Sequence, residues 1–329
     1  MRVLITHNND LLANFFSPRA VEALAGIVDL KMNGTDEPLR GGALVAAAAD
    51  CDVIVSDRLA PGTAEVFDRL PNLKAFLRCA VDIRNVDVAA ASRNGILVCR
   101  CSAGYGDAVA ELAIGLMIDL GRSVSTAAAR YHAGEAVHPM VLGRQLAGSH
   151  VGVVGYGAIG KRIVELALAF GMRVSVYDPY AVVRHGAVAQ VDFETVLAEP
   201  DFVVCAAYAT PETTRMMNAE AFAQMRPSAY FVNISRGILV DDDALERALL
   251  DGTIAGAGLD VGMGPDEQPA LRIARLPNVV AAPHVAGLTM IASEHQAMEN
   301  VEQVKAILAG RLPIHAVNAH RATRLGLDT

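Results

Sequence analysis

Residues 151–178 read VGVVGYGAIGKRIVELALAFGMRVSVYD. The run opens on β-branched Val151, Val153 and Val154 between Gly148 and Gly155, the signature of a short buried strand. Gly155, Gly157 and Gly160 follow at G-x-G-x-x-G spacing. Ile163, Val164, Leu166, Ala167 and Phe170 then recur at helical period, and Gly171 supplies a stop. A second strand, 173–177, ends on Asp178. In this order each part has a task. The first glycine permits the tight turn, the second lets the backbone approach a pyrophosphate, and the third lets helix and strand pack closely. The helix start at Ala158 and Ile159 adds N–H groups and a macrodipole that favour negative charge. Asp178 suits the two ribose hydroxyls of NAD and repels the 2′-phosphate of NADP, and Pro179-Tyr180 after it bring no arginine. Gly155, Gly157, Ala158, Ile159, Gly160 and Asp178 are therefore the expected cofactor residues, and NAD the expected cofactor.

At 329 residues the chain is long for one hydrophobic core, so two domains are expected. A hydrophobic content of 53%, a charged content of 19% and a mean hydropathy of +0.33 describe a well-buried globular protein. A net charge of −8 argues against non-specific binding to nucleic acid or anionic membrane, either of which needs a basic face. The opening MRVLITHNND is too short and too soon polar for a signal peptide, and no apolar run is long enough to span a bilayer. The five cysteines, at 51, 79, 99, 101 and 205, are odd in number and lack metal-ligand spacing, so no metal is expected. Cys99 and Cys101 alternate in a strand-like segment, where thiols on one face read as core filler. The expectation is a cytoplasmic protein with free thiols.

Ahead of the glycine segment, short apolar runs at 3–6, 53–56, 73–78 and 96–99 alternate with helical patterns at 18–26, 44–50, 63–70 and 86–93. Ser17 caps the first of these helices, with Pro18 just inside it. Such alternation predicts a parallel sheet covered by helices. Residues 107–122, apolar nearly all round, predict a buried helix, and 123–144 a helix that turns irregular around His138-Pro139. Beyond Asp178 and residues 182–186, the pattern predicts helices at 193–198, 219–225, 243–251 and 293–308, and strands at 202–206, 230–234, 255–259 and 279–282. A tail at 312–318 returns toward the N-terminal unit. Ligands bind beyond strand C-terminal ends in open α/β sheets. Tyr208 to Thr214, Ser235-Arg236-Gly237, Asp260 and Pro283-His284 all fall at such places.

Five stretches together resemble the D-isomer-specific 2-hydroxyacid dehydrogenases, the family of phosphoglycerate dehydrogenase, glyoxylate/hydroxypyruvate reductase and formate dehydrogenase. They are AVAELAIGLM at 108–117, VGVVGYGAIGKRI at 151–163, FVNISRGILVDDDAL at 231–245, AGLDV at 257–261 and LPNVVAAPHVAG at 276–287. The resemblance implies an α/β molecule of two doubly wound parallel-sheet domains. A Rossmann cofactor domain, 101–289, is inserted into a flavodoxin-like substrate domain, 1–100 plus 290–329. It also implies a homodimer joined through the cofactor domain, an active site in the interdomain cleft, and a small 2-hydroxy or 2-oxo acid as substrate.

Carried over position by position, Arg236 in NISRG resembles the arginine that holds the substrate carboxylate and polarises the 2-oxo group, a task suited to a planar, always-charged fork. His284 resembles the general acid/base, an imidazole that titrates near neutrality. Asp260 resembles the residue beside the nicotinamide carboxamide, and Thr210, Pro211, Ile234, His284 and Gly287 line the cofactor cleft by the same likeness.

Two places depart from the family's pattern. The family sets a Glu beside the histidine, but the segment 260–269 reads DVGMGPDEQP and Pro265 falls at that Glu's place. Asp266 is the preferred partner of His284, with Glu267 as the alternative. At 78–87 the chain reads RCAVDIRNVD, where the family favours a glycine-spaced loop that binds the substrate carboxylate. Ala80 and Asp82 replace glycines and Arg84 replaces an Asp, so Val81, Asp82 and Arg84 are candidate substrate contacts of altered specificity. The expected function is an NAD-dependent D-2-hydroxyacid dehydrogenase with Arg236 as electrophile and His284 as acid/base. A dinucleotide-sensing binding protein without useful catalysis is the alternative, and formate oxidation a third reading.

Overall fold

The computed structural model describes residues 1–135 and 142–326. The expected irregularity at His138-Pro139 lies outside the described residues. The chain divides into two compact units, one formed by Met1–Gly104 with the residues from Thr289 onward, the other by Tyr105–Leu288.

The first unit is built on five parallel strands: β1 (Arg2–Ile5), β2 (Asp29–Met32), β3 (Val53–Ser56), β4 (Ala75–Arg78) and β5 (Leu97–Cys99). They lie in the order β2-β1-β3-β4-β5, the flavodoxin-like doubly wound order. The central strands are buried on both faces, which is why they read as unbroken apolar runs. On one face Val3, Ile5, Val55 and Leu77 pack with Ala297, Val301 and Val304 of the helix Met290–Leu308. On the other, Leu4, Ile54 and Phe76 meet Leu44, Phe67 and Ala90. Each fully buried Val, Leu or Ile contributes roughly 1.5–3 kcal/mol. Ser17 accepts from the Ala20 N–H with Pro18 in the first turn, as the sequence predicts. Strand β2 and the helix Asn9–Phe15 were not expected. In β2, Asp29 and Lys31 sit on an edge and bond to Arg2 and Asp50 at 2.9 and 3.0 Å, so charge hides the strand. The 312–318 tail lies in this unit: Val317 N–H donates to Val98 C=O and Asn318 Oδ1 accepts from Val98 N–H, both at 2.8 Å.

The second unit has seven parallel strands: β6 (His150–Val154), β7 (Arg173–Tyr177), β8 (Val188–Gln190), β9 (Phe202–Cys205), β10 (Tyr230–Asn233), β11 (Gly256–Leu259) and β12 (Val279–Ala281). Their order, β12-β11-β10-β9-β6-β7-β8, is the Rossmann order with one strand added at the far edge. The strand after Asp178 is β8, and its three mostly exposed residues are too short a run to mark it. Helices cover both faces. On one, Val151, Val153, Val174 and Val204 pack against Ile163 and Val164 of the helix Ala158–Ala169 and Ala113, Leu116 and Met117 of the helix Gly106–Arg122. On the other, Val203, Phe231 and Leu259 meet Phe222 and Leu245. Reversal of direction between β6 and β9 opens the crevice in which such sheets take ligands.

Ser123, left-handed at φ 53, separates the buried helix from the exposed helix Val124–His132. Among the described residues no single helix is long and apolar enough to cross a membrane; the two just named pass only as a pair, bent by 68°.

Candidate active site

The crevice is framed by the turn after β6. Gly155 has φ +99 and lies so close to the next strand end that a Cβ there would stand 2.7 Å from Ala207 Cα. At Gly160 a Cβ would overlap the Gly155 carbonyl oxygen. Both positions therefore demand glycine for close approach. Gly157 caps the helix Ala158–Ala169 with no side-chain hydrogen bond, leaving its first N–H groups for a ligand. The Tyr208 ring covers this turn, 3.3 Å from a Cβ built at Gly157. Tyr208 belongs to no motif, and its place just past β9 is the only signal that pointed to it.

Asp178, at the end of β7, takes the Tyr156 N–H on one oxygen (2.7 Å) and the Tyr180 and Ala181 N–H groups on the other (2.8 and 2.9 Å). Partial burial pushes its carboxyl up, but these backbone donors outweigh it and hold the pKa below the ordinary value. The group is thus a fixed anion at the tip of the second strand. A pyrophosphate cradle at a helix start and a carboxylate at the next strand end are the donor set an NAD molecule requires, so the residues fit the cofactor.

Four strand ends carry the rest of the site. After β9, Thr210 N–H donates to Thr213 Oγ1 (2.8 Å), which donates to Tyr208 C=O (2.7 Å), closing an exposed turn that holds Pro211. After β10, Ile234 is buried, and buried Asn233 takes the Ser235 N–H (3.1 Å) and donates to Arg236 C=O (3.1 Å). This fixes the backbone from which the Arg236 side chain leaves. Its guanidinium donates to Ser235 C=O at 2.7 Å and stands 3.8 Å from the Glu267 carboxylate. With five N–H donors and two such neighbours, it keeps donors for further oxygens.

After β12, His284 is left-handed at φ 58, and its N–H donates to Asp260 C=O at 2.9 Å. Asp260, after β11, is only 1% exposed, and its two carboxylate oxygens take the Val285 and Ala286 N–H groups at 2.8 and 3.1 Å. The carboxylate therefore holds the turn that carries His284. A Cβ built at Gly287 would lie 3.5 Å from Tyr105. The His284 Nδ1 lies 2.9 Å from the main-chain oxygen of Asp266. A carbonyl only accepts, so Nδ1 carries the proton and Nε2 is left free of that bond.

Here the structure departs from the sequence expectation. Asp266 reaches His284 through its backbone carbonyl, not its carboxylate, and Glu267 faces Arg236. The reason is local: Asp266 and Glu267 are consecutive left-handed residues, φ 53 and 60, which turn the carbonyl toward the imidazole. Three of the six non-glycine left-handed residues among the described residues, counting His284, thus cluster at this site. The Asp266-Glu267 pair brings the two predicted catalytic side chains, from separate strand ends, onto one dipeptide.

A model of the D-isomer specific 2-hydroxyacid dehydrogenase NAD binding domain matches residues 114–286, more than half of the chain. The chain is 32% identical over 272 residues to the hydroxypyruvate reductase of Thermotoga maritima, covering 82% of this chain and 89% of that one. The chain belongs to the D-isomer specific 2-hydroxyacid dehydrogenase family. It is accordingly an NAD-dependent oxidoreductase with D-2-hydroxyacid dehydrogenase activity. This dehydrogenase is also 35% identical over 290 residues to the glyoxylate reductase of Thermococcus litoralis, covering 84% and 86% of the two chains. Its fold matches the NAD complexed D-isomer specific 2-hydroxyacid dehydrogenase of Lactobacillus delbrueckii ssp. bulgaricus with a TM-score of 0.82 at 26% identity, over 97% of this chain and all of that one.

In the first unit of the dehydrogenase, Val81, Asp82 and Arg84 lie in the loop between β4 and β5. Arg84 grips Asp82 with its own N–H (2.9 Å) and with two guanidinium nitrogens (3.0 and 2.9 Å). The Asp82 carboxyl is pushed up by burial but held low overall by Arg84. Among the described residues no three His, Cys, Asp or Glu side chains are grouped to hold a metal ion.

Proposed function

We propose that this enzyme interconverts a small D-2-hydroxy acid and its 2-oxo acid, with Arg236 and His284 as the catalytic pair. NAD is held by Gly155, Gly157, Ala158, Ile159, Gly160 and Asp178, with Thr210, Pro211, Ile234, Asp260 and Gly287 around its nicotinamide half. Bound there, NAD would supply the hydride chemistry. Arg236 takes the substrate carboxylate and 2-oxo oxygen in its planar fork and stabilises the charge that develops on that oxygen. His284 delivers a proton from Nε2 in the reductive direction and removes it in the oxidative one, while the Asp266 carbonyl fixes the ring. Glu267 orients the guanidinium; partly exposed, the ion pair itself adds little stability.

The observation that carries this reading is the Asp266-Glu267 dipeptide, which touches the imidazole with one residue and the guanidinium with the next. Relatives named for hydroxypyruvate and glyoxylate support substrates of that size. The first unit serves as the substrate domain, its Val81, Asp82 and Arg84 loop reading the substrate tail, and the second as the cofactor domain. The exposed Val124 and Tyr131 support a homodimer through the second unit, and five free thiols support a cytoplasmic setting. The test is a panel of glyoxylate, hydroxypyruvate, pyruvate and phosphohydroxypyruvate with NADH, followed by NADH absorbance. Turnover of at least one is expected. Tight NADH binding with no turnover of any would instead favour a dinucleotide sensor.

A further inference from the structure

We propose that Cys79 and Cys101 form an oxidation site in the first unit: a hydroperoxide oxidises Cys79, and Cys101 resolves it to a reversible disulfide across the end of the sheet. Strands β4 and β5 pair in register through Leu77 and Cys99. Past that pair β4 turns, with Ala80 N–H on Arg78 C=O at 2.8 Å, and Cys101 N–H reaches Ala80 C=O at 2.9 Å. Cys101 Sγ lies 3.4 Å from Arg78 C=O, so the main chain and the sulfur of Cys101 contact the carbonyl groups of the two residues on either side of Cys79. A disulfide spans Cα atoms roughly 4.4–6.8 Å apart, the separation of neighbouring segments such as these.

The surroundings separate this pair from the other thiols. His7 and the preceding Arg78 both act to lower the pKa of the Cys79 thiol. Both are nine-tenths or more buried, and His7 Nδ1 and Arg78 Nε have no hydrogen-bond partner. Cys101 Sγ lies 3.4 Å from Gln296 C=O and 3.5 Å from Asn300 Nδ2. Cys79 is 9% exposed, whereas each of the other four cysteines is at most 1% exposed. The neighbouring Cys101 lowers the Cys79 pKa against the cost of burial, with help from His7 and Arg78, and Cys79 together with burial raises Cys101. Cys79 is thus the nucleophile and Cys101 the resolving thiol. Burial pushes Cys51, Cys99 and Cys205 up to about 11, 12 and 12, which leaves them inert.

The chemistry balances with hydrogen peroxide as the oxidant. The Cys79 thiolate attacks one peroxide oxygen, the O–O bond breaks, a sulfenic acid forms and hydroxide leaves. Cys101 then attacks the sulfenic sulfur, the S–S bond forms, the S–O bond breaks and water departs with the Cys101 proton. Two thiols and one peroxide become one disulfide and two waters. Cys79 begins the loop of Val81, Asp82 and Arg84. An effect on 2-oxo acid KM therefore rests on the substrate role proposed above for that loop, while the oxidation itself does not.

The test titrates the full-length enzyme with hydrogen peroxide, blocks remaining thiols with iodoacetamide and maps peptides by mass spectrometry. The expected result is a crosslink between the Cys79 and Cys101 peptides, two hydrogens lighter and reversed by dithiothreitol. Cys79 should react on the order of a hundredfold faster than Cys205. Cys101→Ser should leave a dimedone-reactive sulfenic acid at Cys79, and Cys79→Ser should protect Cys101. Melting temperatures would confirm that both variants fold, with Cys101→Ala as the fallback. Uniform oxidation of the five cysteines, or a Cys79 inert to dimedone in folded Cys101→Ser, overturns the proposal. A crosslink with unchanged 2-oxo acid kinetics supports the oxidation site and removes the loop from the substrate reading.

Discussion

Asp260→Asn isolates how the fold aims His284. The carboxylate is buried, and its two oxygens hold the Val285 and Ala286 N–H groups at 2.8 and 3.1 Å. Its main-chain oxygen takes the N–H of left-handed His284. A left-handed non-glycine residue costs on the order of 1–3 kcal/mol, which these bonds offset. Hydrogen bonds to a charged group contribute about 1.5–3 kcal/mol each. Asparagine keeps one acceptor and turns an NH2 against the other N–H, so about 2–3 kcal/mol of support for the turn is lost. If the turn relaxes rather than the whole unit, the fraction of molecules with a placed imidazole falls roughly 30- to 150-fold. The assay is steady-state reduction of glyoxylate or hydroxypyruvate, with NADH titration and thermal melting on the same sample. The expected outcome is a kcat lowered by that factor, with NADH affinity changing less than the rate. A folded Asp260→Asn enzyme with wild-type kcat would refute the reasoning.

Arg236→Ala should lower kcat/KM for the 2-oxo acid by roughly 30-fold to several thousandfold, the cost of removing one partner of a desolvated charge pair. NADH binding, followed by fluorescence, should stay nearly intact; wild-type turnover would remove the assignment. His284→Ala should lower kcat roughly 10²- to 10⁴-fold with a smaller effect on KM, and rescue by added imidazole would support the role. Asp178→Ala should reduce the preference for NADH over NADPH by at least about tenfold, since it removes both the ribose acceptor and the repulsion of a 2′-phosphate. A lower KM for NADPH in the wild-type enzyme would contradict the premise. His150, buried in β6 with Nε2 3.0 Å from Ser175 Oγ, has its pKa lowered by burial and then by Arg173. The unfolded chain binds this proton near pH 6.5 while the folded one does not. Stability should therefore fall as pH drops below that value, by at most about 1.4 kcal/mol per unit. His150→Gln should flatten the slope of urea-unfolding stability between roughly pH 6.5 and 5; an unchanged slope would show that other groups set it.

Much of the fold was legible because it is written in neighbouring residues. The β-branched run at Val151 to Val154, the three glycines and the helical period after them carry their own geometry, and every local choice agrees. Ser17-Pro18 likewise announces a helix start that the structure keeps. Strand β2 was lost because its edge alternates charged and apolar residues, and strand β8 because it is three residues long and mostly exposed.

The residues alone set the cofactor turn, the acidic tip of β7 and the presence of an arginine and a histidine at two strand ends. They could not say which atom meets which. Sheet order brings β10, β11 and β12 side by side, and only then does buried Asp260 become the clamp on the His284 turn. Two left-handed residues decide that Asp266 presents a carbonyl to the imidazole while Glu267 turns to Arg236. The turn after β4 brings Cys79 beside Cys101, although in the sequence the latter reads as core filler. Turn chemistry and periodicity act over a few residues and survive in the sequence. Pairings between strand ends depend on register and loop dihedrals, which exist only once the sheet has formed.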